Sequence, residues 1–402
     1  MIRLIRRLLF TGWCKAPEVS PLEGLFMRLL FAMALLWTVR APSDYHLEPH
    51  PVGLLKLLHG IDDHRLWLTW LSDPASWEVY HWAFIGIMIL YVAGIALPIV
   101  LPIGVVLQLM PNTLMSSQEF NFHGTAMISM VGVAQALTVW YYTITKKWSW
   151  LGPDAKLRSW LLMQSMMVVA GAYFISVIAK MENSHGSWFW NSNNIALDMV
   201  KTQRQTYYNK LDPSRAEIPP QALYMLQHPM LARAMFSSGV LLEASCIVIL
   251  LGNRLVALLI GLSLVAMHRS IDMLMGGVAF PLDELCDFIF LIGVPFAMAW
   301  CVERIQSVAV RYGVLIGGLG GIVSSVGVHR SWGRFPTPLA EYLLAMVYKT
   351  CSVWSSMDWA EFFNFMTPAI LCGAAGAALG AGIAYLIERR SSGTGGVKPA
   401  AA

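Results

Sequence analysis

The chain has 402 residues, of which 56% are hydrophobic and 13% charged, with a formal net charge of +4. A soluble domain carries about a quarter of its residues charged, so a soluble globular protein is excluded. The small positive excess sits in short loops, where it sets topology and offers nothing to nucleic acid. The expected fold is all-α: a polytopic transmembrane helix bundle whose first partner is the lipid bilayer.

Residues 1–21 begin MIRLIRRLLF, and the apolar part stops at Gly12, Lys15 and Pro17 with no small-residue cleavage site after it. This reads as a basic amphipathic segment on the cytoplasmic surface. Crossing a bilayer takes about 20 apolar residues. The first span is Leu22–Val39, which carries Glu23 and Arg28; these pair within the helix, or Arg28 faces the bundle. Residues 40–79 are polar and Trp-rich, and LLKLLHG and LWLTWL within them read as interfacial helices. Tyr80–Met110 is too long for one helix, and Pro98 and Pro102 predict a tight hairpin of two.

Further spans follow at His123–Ile144, Trp160–Lys180, Met230–Leu251, Leu255–Met267 extended to Leu274, Leu285–Val302, Tyr312–Val328 and Met366–Ile387. The expectation is about ten spans. The glycines of GVLIGGLGGIVSSVG follow no strand and read as small-residue helix packing, not a nucleotide loop. Residues 330–362 interleave aromatics with charges and predict an amphipathic helix at the outer interface. Residues 389–402 read as a disordered tail.

Positive charge orients the bundle. Arg3, Arg6, Arg7 and Lys15 place the N-terminus in the cytoplasm, and Arg389 and Arg390 place the C-terminus there too. Polar and ionisable residues then gather at the outer helix ends: Asn121, His123, Lys180, His268, Arg269, Asp272, Asp283, Glu284 and Asp287, with Glu119, Glu182 and His185 in the same layer. A site facing the non-cytoplasmic side follows. Glu243 stands alone in mid-helix and needs a partner. The six cysteines are scattered without metal or disulfide spacing.

Lys180 ends the apolar stretch of 161–179 and opens into a polar loop closed by Trp188 and Trp190. A lysine acts as a base only when its neutral amine is populated, which an apolar setting favours. A lysine at a span's end also commonly only snorkels to the headgroups. Glu182, if close, would oppose a role as base. His123 and His268 are placed to move protons or steady an oxyanion, with Asn121 donating a hydrogen bond. No H-E-x-x-H or E-x-x-H is present, so no metal is expected.

Tyr173-Phe174-Ile175, then Lys180-Met181, then Trp188 resemble a segment of the vitamin K-dependent gamma-glutamyl carboxylase and its bacterial relatives, the HTTM (horizontally transferred transmembrane) family. Asn121-Phe122-His123 resembles that family's N-N-H, Arg28 and Glu243 its recurrent helix charges, and His268 in AMHRSIDMLMGGVAFP its histidine-bearing helix. The resemblance runs over about 22–302, leaving 303–388 as additional C-terminal membrane helices with an interfacial segment.

It implies an enzyme that deprotonates reduced vitamin K or menaquinol. O2 then forms the quinone epoxide and a strong base, which removes a glutamate γ-proton before CO2 adds. Lys180 is similar to the family's base and His123 to its assisting histidine. Trp188, Trp190 and Arg269 are placed to line a quinone. Ala179 stands where the family has a further lysine, and two hydrophobic segments replace the animal enzyme's soluble domain. Quinol oxygenation is thus implied more directly than carboxylation of a protein. Two other classes stay open: a maturation factor for a secreted or membrane peptide, and a non-catalytic scaffold or transporter.

Overall fold

Ser20 accepts a hydrogen bond from the Glu23 amide at 3.1 Å, and Pro21 follows in the first turn, so helix α1 (Pro21–Thr38) starts at a conventional cap. The computed structural model describes residues 16–39, 70, 73–117, 123–145, 152–211, 213, 216–251, 253–275, 280–318, 371–372 and 374–388. They are helical, with no strand among them. The expected segments at 1–15, 330–362 and 389–402 lie outside the described residues, as do LLKLLHG and nearly all of LWLTWL.

The chain divides into two units, Met1–Pro295 and Phe296–Ala402. In the first, α2 (Pro74–Ala93) and α3 (Leu97–Ser117) form the expected hairpin. Its turn falls earlier than the prolines, at Gly94–Ala96. Gly94 takes the left-handed conformation (φ 77°) that closes a helix C-terminus, and Ala96 adopts φ 47°. Pro98 sits instead in the first turn of α3, where no amide hydrogen is required, and Pro102 is carried inside that helix.

Helix α4 (His123–Thr145) leads to α5 (Ala155–Asn183), which Asp154 caps by accepting from the Leu157 amide at 2.8 Å. Burial works against the Asp154 carboxylate, but hydrogen bonds from Tyr142 and the Leu157 amide outweigh it and hold the group below its ordinary range. The cap is therefore fully present above about pH 4 and is lost as pH falls through that lowered value. Asp154→Ala is expected to cost about 1 kcal/mol, read as a lower melting temperature in detergent at pH 7.

The polar loop expected after Lys180 is present as a turn at Ser184–Ser187, and beyond it come α6 (Trp188–Asn191), α7 (Ile195–Lys210) and α8 (Pro220–Gln227). Then α9 (Pro229–Ser245) runs into a 3-10 turn at Cys246–Leu251, and α10 (Arg254–Met275) returns. The next span is interrupted. Helix α11 (Pro281–Cys286) passes into a π-helical turn at Asp287–Leu291, where the Ile292 amide bonds to the Asp287 carbonyl at 2.8 Å, and Gly293 (φ 78°) precedes α12 (Val294–Glu303).

Six helices among the described residues are long and apolar enough to cross a membrane, or seven if Leu282–Leu291 and Val294–Glu303 are one span. Leu97–Thr113, Val308–Gly318 and Ala374–Glu388 are apolar but shorter. The molecule is a multi-pass helical membrane protein, and of the expected spans Tyr312–Val328 and Met366–Ile387 lie partly outside the described residues.

Aromatic packing and buried amides hold the first unit together. Phe31 of α1 is fully buried and meets Tyr91 and Phe290 edge-on, with ring centroids 6.4 and 5.5 Å away. The Tyr91 hydroxyl donates to Gln135 at 2.6 Å, and Gln135 donates to Ser165 at 2.9 Å. Gln108 donates to Thr38 at 2.9 Å and accepts from Ser129 at 3.1 Å. In lipid these polar contacts replace the hydrophobic drive that would join helices in water.

At one end of this unit, Arg254 pairs with Glu23 at 2.8 Å, and Arg158 donates to the Val19 and Pro153 carbonyls. Glu23 thus has Arg254 as its partner. Arg28 faces the bundle and donates to the Val92 carbonyl at 3.1 Å, at the negative end of the α2 dipole.

In the second unit, α13 (Val308–Gly318) and α14 (Ala374–Glu388) cross at Gly313 and Gly317 against Gly376 and Gly380. A Cβ at Gly313 or Gly317 would run into the partner helix's carbonyls. The expected small-residue packing is present there.

Candidate functional site

Between Arg158 and Lys180 helix α5 carries no charge, and its register delivers Tyr173 and Lys180, two turns apart, to one region. Glu243 arrives from α9. The Lys180 ammonium donates to both carboxylate oxygens, at 2.6 Å to Oε1 and closer still to Oε2. Only 8% of Glu243 is exposed. This supplies the partner that a carboxylate in mid-span requires. Glu182 is exposed, and it is Glu243 that sits on the lysine. The Trp188 ring lies 5.9 Å from Lys180 Nζ, and its buried indole N–H has no hydrogen-bond partner among the described residues.

Below this pair lies a second one. The Tyr173 hydroxyl donates to Asp287 Oδ2 at 2.9 Å. Asp287 is fully buried, and its Oδ1 has no hydrogen-bond partner among the described residues. It opens the π-helical turn, a distortion that frequently marks functional positions. Gly261 of α10 makes the turn's close approach possible, since a Cβ there would lie 2.8 Å from Leu291 Cβ.

His268 of α10 stacks on Phe280 (centroids 4.6 Å apart, planes at 18°), and its other neighbour is Tyr173 at 5.8 Å. The ring is 4% exposed and its Nδ1 is unpartnered among the described residues. Lys180 and Arg269 both act on it electrostatically. Arg269 pairs closely with Glu284 and lies 3.9 Å from Asp272.

Three helices and the π turn therefore bring Lys180, Glu243, Tyr173, Asp287 and His268 together. Of the expected site residues, Lys180, His268 and Trp188 take part, and Arg269 borders them, engaged with carboxylates. Trp190 is 69% exposed and is turned away. Asn121 lies outside the described residues. His123 opens α4, but its side chain also lies outside them. Its neighbour Gly124 packs tightly on α11, where a Cβ would overlap Leu282 and sit 3.1 Å from the Asp283 amide nitrogen. Gly124→Ala is expected to cost about 1–3 kcal/mol by overpacking, seen as lower thermal stability in detergent; an unchanged melting temperature would contradict this packing.

Sequence reasoning placed Asp287 and Glu243 by depth but missed their roles. Their signal was present: each is a carboxylate inside an apolar helix, where ionisable groups are seldom idle.

Comparison with family models, curated proteins and solved structures finds no match for this chain. The class that fold and site define is thus a multi-pass helical membrane protein with a buried cluster of ionisable residues.

Proposed function

We propose that this chain is an integral membrane enzyme resembling the vitamin K-dependent gamma-carboxylase of the HTTM family. It would couple epoxidation of reduced vitamin K or menaquinol by O2 to proton abstraction from, or carboxylation of, a second substrate. The carrying observation is that Lys180, the residue expected as base, meets a buried carboxylate from another helix in the same cluster as His268, whose Nδ1 has no hydrogen-bond partner among the described residues. Trp188, Phe280 and Tyr173 supply aromatic surface there, and the unpartnered polar atoms suit an aromatic ligand bearing oxygen.

Within this reading the bound quinol supplies the reducing electrons. Lys180 can take the quinol's proton at Nζ only as the neutral amine, so within this reading its ammonium first passes a proton to the Glu243 carboxylate, and Glu243 holds that proton while the freed amine accepts one from the quinol. The topology completes the proposal: about ten spans, both termini cytoplasmic, and the site facing the non-cytoplasmic side.

The closed Lys180–Glu243 pair favours a second reading, because a satisfied pair also serves as a structural tie. The chain would then be a quinone-independent maturation factor for a secreted or membrane peptide, or a scaffold. One assay separates the two. Full-length protein in lipid is given reduced vitamin K or menaquinol and O2, and epoxide is measured. The enzyme reading expects epoxide from the wild type and a fall of about 10²–10⁴-fold in Lys180→Ala. No epoxide from either quinol, with folded protein, overturns it.

A further inference from the structure

Arg28 carries a charge into the first span and leaves part of it unanswered. The residue is 5% exposed. Its Nε donates to the Val92 carbonyl at 3.1 Å, while the buried Nη1 has no hydrogen-bond partner among the described residues. A buried polar atom in that state is rare in native proteins and asks for an occupant. Side chains on a helix lean toward its N-terminus, and the long arginine stem extends that reach. The head of Arg28 accordingly lies at the level of Gly24, one turn nearer the start of α1.

A second guanidinium side chain arrives at the same place. A Cβ on Gly24 would lie 2.6 Å from Cδ of Arg158 and 3.7 Å from Nη1 of Arg28, so the missing side chain is what lets the two arginines converge. Arg158 is half-buried and comes from the first turn of α5. The Val19 and Pro153 carbonyls hold its Nε and Nη1, at 3.1 and 2.7 Å, which leaves Nη2 uncommitted. Its charge acts on Arg28 electrostatically. Like charges held together away from water repel, and a shared counter-ion removes that cost.

No carboxylate among the described residues supplies the counter-charge. Glu23 is taken by Arg254, at 2.8 and 3.3 Å. Asp154 is within electrostatic reach of Arg158, but it accepts from the Leu157 amide and the Tyr142 hydroxyl. The carbonyls fix both arginines without neutralising them. Guanidinium forks match the oxygens of a phosphate, which accepts from two of them at once. Basic pockets between helix ends are also where membrane proteins hold acidic headgroups.

We infer that Arg28 and Arg158, converging over Gly24 where α1 and α5 begin, form a binding site for an anionic phosphate group, as carried by an acidic phospholipid or by a soluble phosphate. The site is independent of the quinol reading, because Lys180 stands at the other end of α5.

The test is native mass spectrometry of the full-length chain in neutral detergent, titrated with phosphatidylglycerol, with phosphatidylcholine and with inorganic phosphate. Phosphatidylcholine carries the same phosphate with its charge balanced by choline. The acidic lipid is expected to bind at least about tenfold tighter, the gain from one charge-assisted hydrogen bond. Arg28→Gln is expected to abolish that preference and Arg158→Gln to reduce it. The second variant keeps the test decisive should loss of the Val92 contact unfold the first. Lys156→Gln, exposed on the same turn of α5, is expected to leave the preference unchanged.

Displacement of the lipid by inorganic phosphate at equal concentration assigns the site to a soluble phosphate; a lipid that stays bound assigns it to the headgroup. Equal binding of the two lipids, with no binding of inorganic phosphate, overturns the inference, and an ordered water is then the occupant of Nη1. A preference that survives both arginine substitutions, or falls as far with Lys156→Gln, overturns it too, as general attraction to a basic surface.

Discussion

Glu243→Gln is expected to destabilise the protein by about 3 kcal/mol, and Lys180→Met by a similar amount, while the double substitution recovers most of the loss. The reason is the asymmetry of ion pairs in a low-dielectric interior. Breaking such a pair leaves one charge desolvated without compensation, whereas replacing both members by uncharged groups of similar volume is often neutral. Glu243 is nearly buried and Lys180 is the more open partner, with 26% of its side chain exposed. The value therefore sits at the low end for buried pairs, because water partly screens the lysine. A double-mutant cycle on thermal or denaturant unfolding in detergent reads the coupling directly. Additive single effects would mean that the two groups do not meet.

Phe31→Ala should cost as much or more, about 3–5 kcal/mol. Phe31 is completely buried and joins α1 to α2 through Tyr91 and to the π turn through Phe290. Transfer to lipid recovers part of the apolar stabilisation that water would deny, so the loss comes mainly from the cavity and from forfeited dispersion and edge-to-face contacts. The site lies beyond this junction, because Phe290 and Asp287 share the same π turn. Loss of stability is the expected result. A stability within 1 kcal/mol of wild type, measured by unfolding in detergent, would contradict the packing described.

Much of this architecture is legible in the chain because lipid makes the rules severe. The long apolar runs were legible as membrane helices, whereas the caps that start three of them, Ser20, Asp73 and Asp154, emerged only from the fold. The length of Tyr80–Met110 forced a hairpin, although Gly94, not the prolines, makes its turn. From Trp188 to Gln227 the sequence offered no element, because Asn and Ser dilute the apolar pattern; the helices there are held by packing on α9 and α10, which local sequence does not record. Lys180 and His268 stood out as ionisable groups in apolar helices. Glu243 stood out as well, but that it meets Lys180 and that Asp287 meets Tyr173 did not, since these residues lie far apart along the chain and only the folded bundle chooses which meets which.

The two buried amide networks carry one more consequence. Gln135 and Gln108 sit deep among the helices, where a conducting protein would keep polar groups free to bind a passing ion or water file. Here Gln135 is bonded to Tyr91 and Ser165, and Gln108 to Thr38 and Ser129, each to its neighbours and not to a ligand in transit. Each amide therefore ties three helices at one point, Gln135 of α4 to α2 and α5 and Gln108 of α3 to α1 and α4, so the two glutamines serve as buried rivets of the bundle.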